Sequence, residues 1–281
     1  VESDTGMMGG AVAHEFILLT ESGEDTIVVS EGGDYRANLE VACGRIKAYP
    51  EEPCPLEKVY TPNCKTIEEL SNFLGIQPRQ TAKVVFYDHD CQGKLVMVLV
   101  RGDRDVNEAK LTKVLQAIPA PASEERIRTT GAEPGFASPI GLDRAKIRLV
   151  VDHTVGASNN LVTGANEVDY HYKNFNLYRD VPTVETVDVV TVQEGDGSPD
   201  GKGKLVFKRG IEVGNIFQLG TKYSHSMGLR YNDASGKSCV PIMGCYGIGV
   251  GRLLSSVMEA HHDDYGPKWP CLLYTSDAAD E

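Results

Sequence analysis

The chain of 281 residues is 41% hydrophobic and 24% charged, with a formal net charge of −12 at pH 7. This composition is ordinary for a globular protein of one large domain or two average ones. The acidic balance argues against a broad basic face for nucleic acid, so any RNA contact must come from local basic spots, and the lack of a run of eighteen apolar residues argues against a membrane span.

The first 62 residues carry two element patterns and then a boundary. The apolar runs in "AVAHEFILLT" and "TIVVS", joined by the polar turn "ESGED", predict an antiparallel hairpin. A helix capped by Asp34 is predicted next, because apolar residues recur at helical spacing at Leu39, Ala42, Cys43 and Ile46. The stretch "PEEPCPLEKVYTP" then packs four prolines into thirteen residues, which predicts a domain boundary.

A compact block is predicted for residues 63–185. Thr66 and Glu69 form a capping-box pattern for a helix that ends at Gly75. The segments "AKVVFYDHD" and "KLVMVLVRGD" are strand patterns around a turn at 91–94, and "DVNEAKLTKVL" and "SEERIRTTG" predict short helices, the second capped by Ser123. The segment "KIRLVVDHTV" is apolar enough to be a strand buried on both faces.

The last part of the chain begins with a second predicted boundary, a flexible segment. Residues 194–204, "EGDGSPDGKGK", are nearly all glycine, proline and charge. A strand pattern follows in "LVFKRGIEVGNIFQLG", and then "GIGVGR", in which alternating glycines precede Arg252 and an amphipathic run. Because the two flanks have similar patterns, the sequence predicts one compact domain inserted between two parts of another.

The glycine motif fits neither common nucleotide-binding pattern. A Rossmann fingerprint needs G-x-G-x-x-G and an acidic residue on a second strand, and a P-loop needs Gly-Lys-Ser/Thr after the glycines. One interpretation is structural, since glycines let a helix lie close to a sheet. The other is an anion site, because an arginine at a helix start supplies a planar fork beside the positive end of the helix dipole.

With the strand before it, this motif resembles motif 3 of class II aminoacyl-tRNA synthetases. The stretches "TGMMGGAVAHEF", "SGEDTIVVS", "DYRANLEVA", "KRGIEVGNIFQLGTKYS" and "MGCYGIGVGR" resemble bacterial-type prolyl-tRNA synthetases in the same order, over residues 1 to about 270. The resemblance implies an α+β (mixed α/β) fold. An incomplete antiparallel class II core at 1–62 and 186–270 would be interrupted by a YbaK-like α/β editing domain at 63–185, and residues 271–281 look like a non-native tail.

The resemblance implies an enzyme that joins proline to tRNA(Pro) through an ATP-dependent prolyl-adenylate. Arg252 would hold the γ-phosphate of ATP, and Gln218 and Thr221 would contact the nucleotide, with Mg²⁺ expected beside it and no protein-bound metal. His14 and Cys245 would line the proline pocket, although each also fits an ordinary structural role. The family's motifs 1 and 2 and its anticodon-binding domain are missing. The chain is therefore expected to be truncated at both ends and unable to form prolyl-adenylate alone.

The inserted domain is expected to be whole and to hydrolyse alanine mischarged onto tRNA(Pro). The resemblance assigns its editing site to Lys83, Asp152, His171 and the G-x-x-x-P loop from Gly135 to Pro139. A lysine suits an RNA phosphate, and a glycine lets backbone groups approach a substrate closely. No Ser-His-Asp or Cys-His pattern appears, so water would be activated by the substrate's ribose hydroxyl and backbone dipoles. His153 is the second candidate for proton transfer.

Three functions stay open from the sequence. The leading hypothesis is a synthetase fragment with an editing domain. A free-standing deacylase is the second, and the intact motif 3 argues against it. The third is a non-catalytic regulator that binds tRNA or nucleotide, and the matching ATP-site residues argue against it. The expected partners are tRNA(Pro), proline and, for a full-length enzyme, a second copy. Seven cysteines without a C-x-x-C pair predict free thiols in a reducing cytoplasm.

Overall fold

A computed structural model describes residues 1–88 and 92–274. Cys91 in the predicted turn at 91–94, and residues 275–281 of the predicted non-native tail, lie outside the described residues. The chain divides into two compact units: residues 1–42 with 198–281, called the flanking unit, and residues 43–197, called the inserted unit. Within the described ranges, no helix is long and apolar enough to cross a membrane.

The elements follow the chain in three segments. The first segment of the flanking unit contains β1 (Glu2–Ser3), β2 (Val12–Leu19), β3 (Asp25–Ser30) and β4 (Arg36–Asn38). The inserted unit contains β5 (Glu57–Tyr60), α1 (Ile67–Leu74), β6 (Ala82–Tyr87), β7 (Leu95–Arg101), α2 (Glu108–Leu115), α3 (Glu124–Arg128), β8 (Ile147–Asp152), α4 (His153–Gly156), β9 (Leu161–Gly164), β10 (Tyr170–Phe175), α5 (Leu177–Asp180) and β11 (Thr186–Val187). The second flanking segment contains β12 (Leu205–Gly220), α6 (Lys222–Ser226), β13 (Tyr231–Asn232), β14 (Ser238–Cys239), β15 (Met243–Ile248), α7 (Val250–Ala260), β16 (His262–Asp263), β17 (Gly266–Pro267) and α8 (Cys271–Tyr274).

The flanking unit is built on one sheet with the strand order β15-β12-β2-β1-β4-β3, in which β12 also pairs with β3. The long strand β12 is antiparallel to β3 along its first residues and to β2 and β15 along its later ones. Helix α7 follows β15 directly and packs against β12. The predicted strand over 205–220 and the predicted helix after the glycine motif are therefore confirmed.

The predicted hairpin of β2 with β3 is wrong, because each of these strands pairs with β12 instead. The connection between them passes directly over β12 at Gly23, whose missing side chain leaves room for the backbone of Gly210. A Cβ at Gly23 would overlap that backbone, so glycine is required by close approach. The short polar turn that predicted a hairpin is a crossing over a third strand.

The helix predicted around Leu39, Ala42, Cys43 and Ile46 is also wrong. Residues 36–38 form β4 and pair with β3, so Asp34 precedes a strand rather than capping a helix. The Asn38 carbonyl then accepts the N–H groups of Val41 and Ala42 in a tight turn. Burial of Ala37 and Ala42 against the sheet outweighs the helical spacing of the sequence.

The inserted unit contains a four-stranded sheet of order β11-β8-β7-β6 and a three-stranded antiparallel sheet of order β5-β10-β9. The central strand β7 is buried throughout its length. Val96, Val98 and Val100 pack with α2 on one side, whereas Leu99 joins a cluster on the other. The predicted strands, the capping box of α1 and the Ser123 cap of α3 are confirmed, as is burial of both faces of β8.

The inserted unit extends beyond the predicted domain limits of 63 and 185. Strand β5, inside the proline-rich stretch, pairs with β10. At the other end, β11 pairs with β8, and Val189 and Val190 lie in the core. These contacts place the structural boundary outside the sequence boundary, whereas the division into functional domains stays a prediction.

A nearly buried ion pair between Arg104 and Asp196 holds the end of the inserted unit to its sheet. The Arg104 guanidinium donates two hydrogen bonds to the Asp196 carboxylate, of 2.6 and 2.8 Å. The two side chains are only 6% and 9% exposed. Removing one partner of such a pair leaves a desolvated charge without compensation.

We expect Arg104→Ala to lower the free energy of unfolding by about 3–5 kcal/mol, because the Asp196 carboxylate would lose its partner. The matched control is Arg128→Ala, which removes an exposed arginine paired with Glu124 and Glu133 and is expected to cost at most about 1 kcal/mol. Urea denaturation followed by circular dichroism measures both. Equal losses in the two variants would contradict the structural role of the buried pair.

Candidate functional site

A cavity of about 450 Å³ opens in the inserted unit. Its walls come from the start of α1, from β6, from α3 and the segments on either side of it, and from one residue each of β9 and β10. The residues that line it are Lys65, Thr66, Ile67, Leu70, Ala82, Lys83, Val84, Val85, Phe86, Ala122, Ile127, Pro134, Gly135, Ala137, Gly164 and His171. Three of the predicted editing residues, Lys83, Gly135 and His171, therefore share one cavity.

Lys83 projects from β6, where it is paired in register with Val100 of β7. Its side chain is 25% exposed, and its Nζ donates a 2.8 Å hydrogen bond to Oδ1 of Asp105. Asp105 itself is 84% exposed. Because a pair with so exposed a partner is weak, the lysine can exchange Asp105 for a substrate anion at small cost.

His171 lies on the central strand β10 and is only 4% exposed. Its Nδ1 is 2.6 Å from the Thr61 hydroxyl, and its ring lies 5.5 Å from the Phe136 ring. Burial lowers the pKa of His171 to about 4, because desolvation penalises the charged imidazolium. The histidine is therefore neutral at pH 7 and presents a polar but uncharged surface to the cavity.

The loop that carries Gly135 is fixed by two residues that the sequence analysis did not single out. A Cβ at Gly164 would overlap the backbone of Phe136, so the loop lies directly on β9. Asn166, in a left-handed conformation with φ of 55°, accepts from the Ser138 N–H and donates to the Ser138 and Ile140 carbonyls. The sequence "TGANE" after a buried strand could have indicated this turn, because asparagine tolerates the left-handed conformation.

The anchoring of this loop limits which of its groups face a substrate. The Phe136 N–H donates to the Glu133 carbonyl and the Ser138 N–H to Asn166. Within residues 135–139, Gly135, with φ of +84°, and Ala137 line the cavity. Pro139 is buried and does not line it.

Asp152 is placed differently from the other predicted editing residues. It is 1% exposed and does not line the cavity. Its Oδ1 accepts from the N–H and hydroxyl of Thr154, and its Oδ2 accepts from the Val189 N–H. These bonds cap α4 and join the end of the unit to β8. The second proton-transfer candidate, His153, is exposed, lies outside the cavity and bonds the Thr186 hydroxyl.

The flanking unit has a separate cavity of about 450 Å³ on one face of its sheet. His14 and Gln218 both line it, with Ile216 and Tyr246 between them. His14 pairs with Ile216 and Ile216 with Tyr246, whereas Cys245 pairs with Phe217. Because side chains alternate along strands, Cys245 points to the opposite face. The structure brings His14 together with Gln218 and not with Cys245.

The other two residues that the sequence predicts for an ATP site lie at the ends of two elements. Thr221 follows β12 and precedes α6. Arg252 lies in the first turn of α7 with its side chain 57% exposed, and its Nη1 is 3.1 Å from both the carbonyl oxygen and Oε2 of Glu212. An exposed guanidinium beside a helix N-terminus is suited to bind an anion.

A polar cluster of Glu15, Asn38, Glu212 and Asn215 lies on the face of the sheet opposite the His14 cavity. The sequence did not predict that these residues lie together. Asn38 donates to Glu15 at 3.3 Å, and Asn215 donates to Glu212 at 2.8 Å. Burial raises the pKa of Glu15, and the charge of Glu212 acts in the same direction. In residues 1–88 and 92–274, no three His, Cys, Asp or Glu side chains are placed to hold a metal ion. Cys54, Cys64, Cys239 and Cys245 are free thiols.

Comparison with known proteins identifies relatives of nearly the whole chain. Residues 61–181 match the family described as the aminoacyl-tRNA editing domain. The proline–tRNA ligase of Bacillus licheniformis is 47% identical over 274 residues, which are 96% of this chain and 47% of the relative. The proline–tRNA ligase of Bacillus subtilis is 46% identical over 274 residues, 96% of this chain and 48% of the relative.

The resemblance to prolyl-tRNA synthetases is thereby confirmed, and the editing domain is matched within the inserted unit. The chain spans about half the length of the curated relatives it matches. The roles that the sequence predicts for residues of the editing site and of the ATP and proline site stay predictions.

The buried histidine makes stability depend on pH. Between pH 6.5 and about 4, unfolded chains bind a proton on His171 that the native protein excludes. The contribution of His171 to the free energy of unfolding therefore rises with pH across this window and is constant above it. We expect the wild type to lose on the order of 2–3 kcal/mol more between pH 7.5 and 4.5 than His171→Gln does.

Urea denaturation at several pH values tests this expectation. The matched control is the exposed His153, because His153→Gln leaves His171 intact and should keep the wild-type dependence. A His171→Gln variant with the full wild-type dependence would show that another group is responsible.

Asn166→Ala is expected to release the 135–140 loop, since the four side-chain hydrogen bonds between Asn166 and that loop are lost. The matched control is Asn174→Ala, which also replaces an asparagine in a left-handed conformation but one that bonds Pro55 instead. Each variant bears the roughly 1–2 kcal/mol conformational cost of alanine there. Hydrogen exchange of a peptide covering 133–141 should accelerate in Asn166→Ala alone, and equal acceleration in both would refute the anchoring role.

Proposed function

Because the homologues of the chain are proline–tRNA ligases and residues 61–181 match an editing domain, we propose that the inserted unit hydrolyses alanine mischarged onto tRNA(Pro). The observation that carries the proposal is the single cavity that brings together Lys83, His171 and the Gly135 loop. Lys83 would bind an RNA phosphate, and His171 would form a neutral polar wall. The Gly135 loop would bring backbone groups close to the substrate.

The need for such a site follows from size. Alanine is smaller than proline, so a pocket shaped for proline discriminates against it only about 10–200-fold. A second site that admits alanine and rejects proline completes the selection. The apolar part of the cavity wall, which includes Ile67, Leu70 and Ile127, would contact the methyl group of alanine and limit the space beyond it.

The reaction is hydrolysis of the ester between alanine and the terminal ribose. Water adds to the ester carbonyl carbon, the bond from that carbon to the ribose oxygen breaks, and the ribose oxygen takes up a proton. We place a ribose hydroxyl of the substrate as the group that orients the water. Neutral His171 fixes the shape of the pocket and carries no charge into the transition state. The Gly135 loop lets backbone dipoles approach the developing oxyanion.

The flanking unit would supply part of a class II adenylation core in the longer enzyme. Arg252 would bind the γ-phosphate of ATP, and Gln218 and Thr221 would bind elsewhere on the nucleotide. The exposed guanidinium at the start of α7 supports this assignment. Mg²⁺ would accompany the nucleotide, and proline would occupy a pocket near His14 or Cys245. A cytoplasmic location and a homodimer of the full-length enzyme belong to the same proposal.

The test is release of alanine from Ala-tRNA(Pro) by the purified chain, with Pro-tRNA(Pro) as the substrate to be rejected. We expect Lys83→Ala to reduce kcat/KM about 10- to 100-fold, because a charge-assisted contact is lost. Lys146→Ala is the matched control, since Lys146 is exposed and does not line the cavity. Equal release of alanine and proline, or wild-type activity in Lys83→Ala, would contradict the proposal.

A further inference from the structure

We propose that Lys65 is a second phosphate-binding residue of the editing cavity, so that it and Lys83 together clamp the unpaired 3′ end of the aminoacylated RNA. This inference rests on the proposed function of the inserted unit. It adds a specific binding residue that the sequence analysis did not identify.

The charge of the cavity lining is the first observation. The whole chain carries 40 acidic against 28 basic residues. The described residues that line the cavity nevertheless include Lys65 and Lys83 and no aspartate or glutamate. Asp105, which pairs with Lys83 at 2.8 Å, is 84% exposed and lies outside this lining. His171 adds no charge at pH 7, because burial lowers its pKa to about 4. This cavity is therefore a local basic spot of the kind that an acidic protein needs in order to hold RNA.

The position of Lys65 is the second observation. It precedes the Thr66 cap of α1 and is exposed, and its Cβ, Cγ and Cδ lie 3.5–3.7 Å from where a Cβ on Gly135 would be. The aliphatic stem thus runs beside the loop that faces the substrate. Lys83 projects from β6, on another part of the wall. Two cations from separate elements can bind one or two successive phosphates of a strand that enters between them.

The nearby carboxylate of Glu69 is already engaged by backbone groups. Its Oε2 accepts the N–H groups of Lys65 and Thr66 at 3.0 and 2.9 Å. Hydrogen bonds from Thr66 are the main cause that lowers the pKa of this carboxyl. Because Lys65 contributes its backbone to this arrangement, replacing its side chain leaves the helix cap in place.

The experiment measures binding of a fluorescein-labelled RNA minihelix with a tRNA(Pro) acceptor stem and an unpaired CCA end, by anisotropy over a range of KCl concentrations. We expect Lys65→Ala to weaken binding about 10-fold at low salt. The slope of log K against log salt should become shallower by about 0.7, the value for one phosphate contact on a single strand. Lys65→Arg should retain binding, and Lys146→Ala is the matched control.

The outcomes separate the inference from the proposed function. An unchanged salt slope in Lys65→Ala, beside a shallower slope in Lys83→Ala, would overturn the role of Lys65 while leaving the editing site standing. Salt-dependent binding that Lys65→Ala reduces, without release of alanine by the wild type, would support the clamp and refute the hydrolytic function. Absence of binding by the wild-type chain would overturn the clamp.

Discussion

The inserted unit depends on direct contact between the Phe136 backbone and β9 at Gly164. No side chain fits between them, because even a Cβ at Gly164 would overlap the Phe136 carbonyl group. This contact sets the distance between the loop and the three-stranded sheet, and it places Phe136 against the His171 ring. Since His171 lies on the neighbouring strand, the position of the loop also fixes how deeply the imidazole is buried and hence how low its pKa lies.

Close backbone approach also organises the flanking unit. Strand β12 pairs with β3 along its first residues and with β2 along its later ones, and the change occurs at Gly210. The β2–β3 connection passes that point at Gly23, where any side chain would overlap the strand. One long strand can therefore pair with both, with β3 along its first residues and with β2 along its later ones. In both units, a pair of segments meets through a glycine whose φ is ordinary, so the requirement is space rather than conformational freedom.

The sequence predicted local structure well where each signal was local. Thr66, Glu69 and Gly75 defined a helix through its caps, and the apolar strand patterns defined β6, β7 and β12. It failed where pairing was decided at long range. The turn after β2 resembled a hairpin turn because the sequence does not show that β12 lies beneath it. The residues after Asp34 have helical spacing but form a strand, because pairing with β3 is more favourable there. The site was predicted by resemblance for Lys83, Gly135 and His171, whereas Asn166 and Thr61 act through contacts that no sequence spacing reveals.

The arrangement of charge fits the RNA-linked substrate proposed for this acidic protein. The cations of the cavity are exposed Lys65 and partly exposed Lys83, and the buried position is held by a histidine kept neutral through desolvation. A positive group there would favour any anion over an amino-acid side chain and would lose free energy by being buried. With the charge outside and the neutral wall inside, the proposed substrate would gain binding strength through its RNA phosphates, and selection would come from the shape of the apolar interior. The two tasks can then be tuned by different residues, since salt weakens the first and leaves the second largely unchanged.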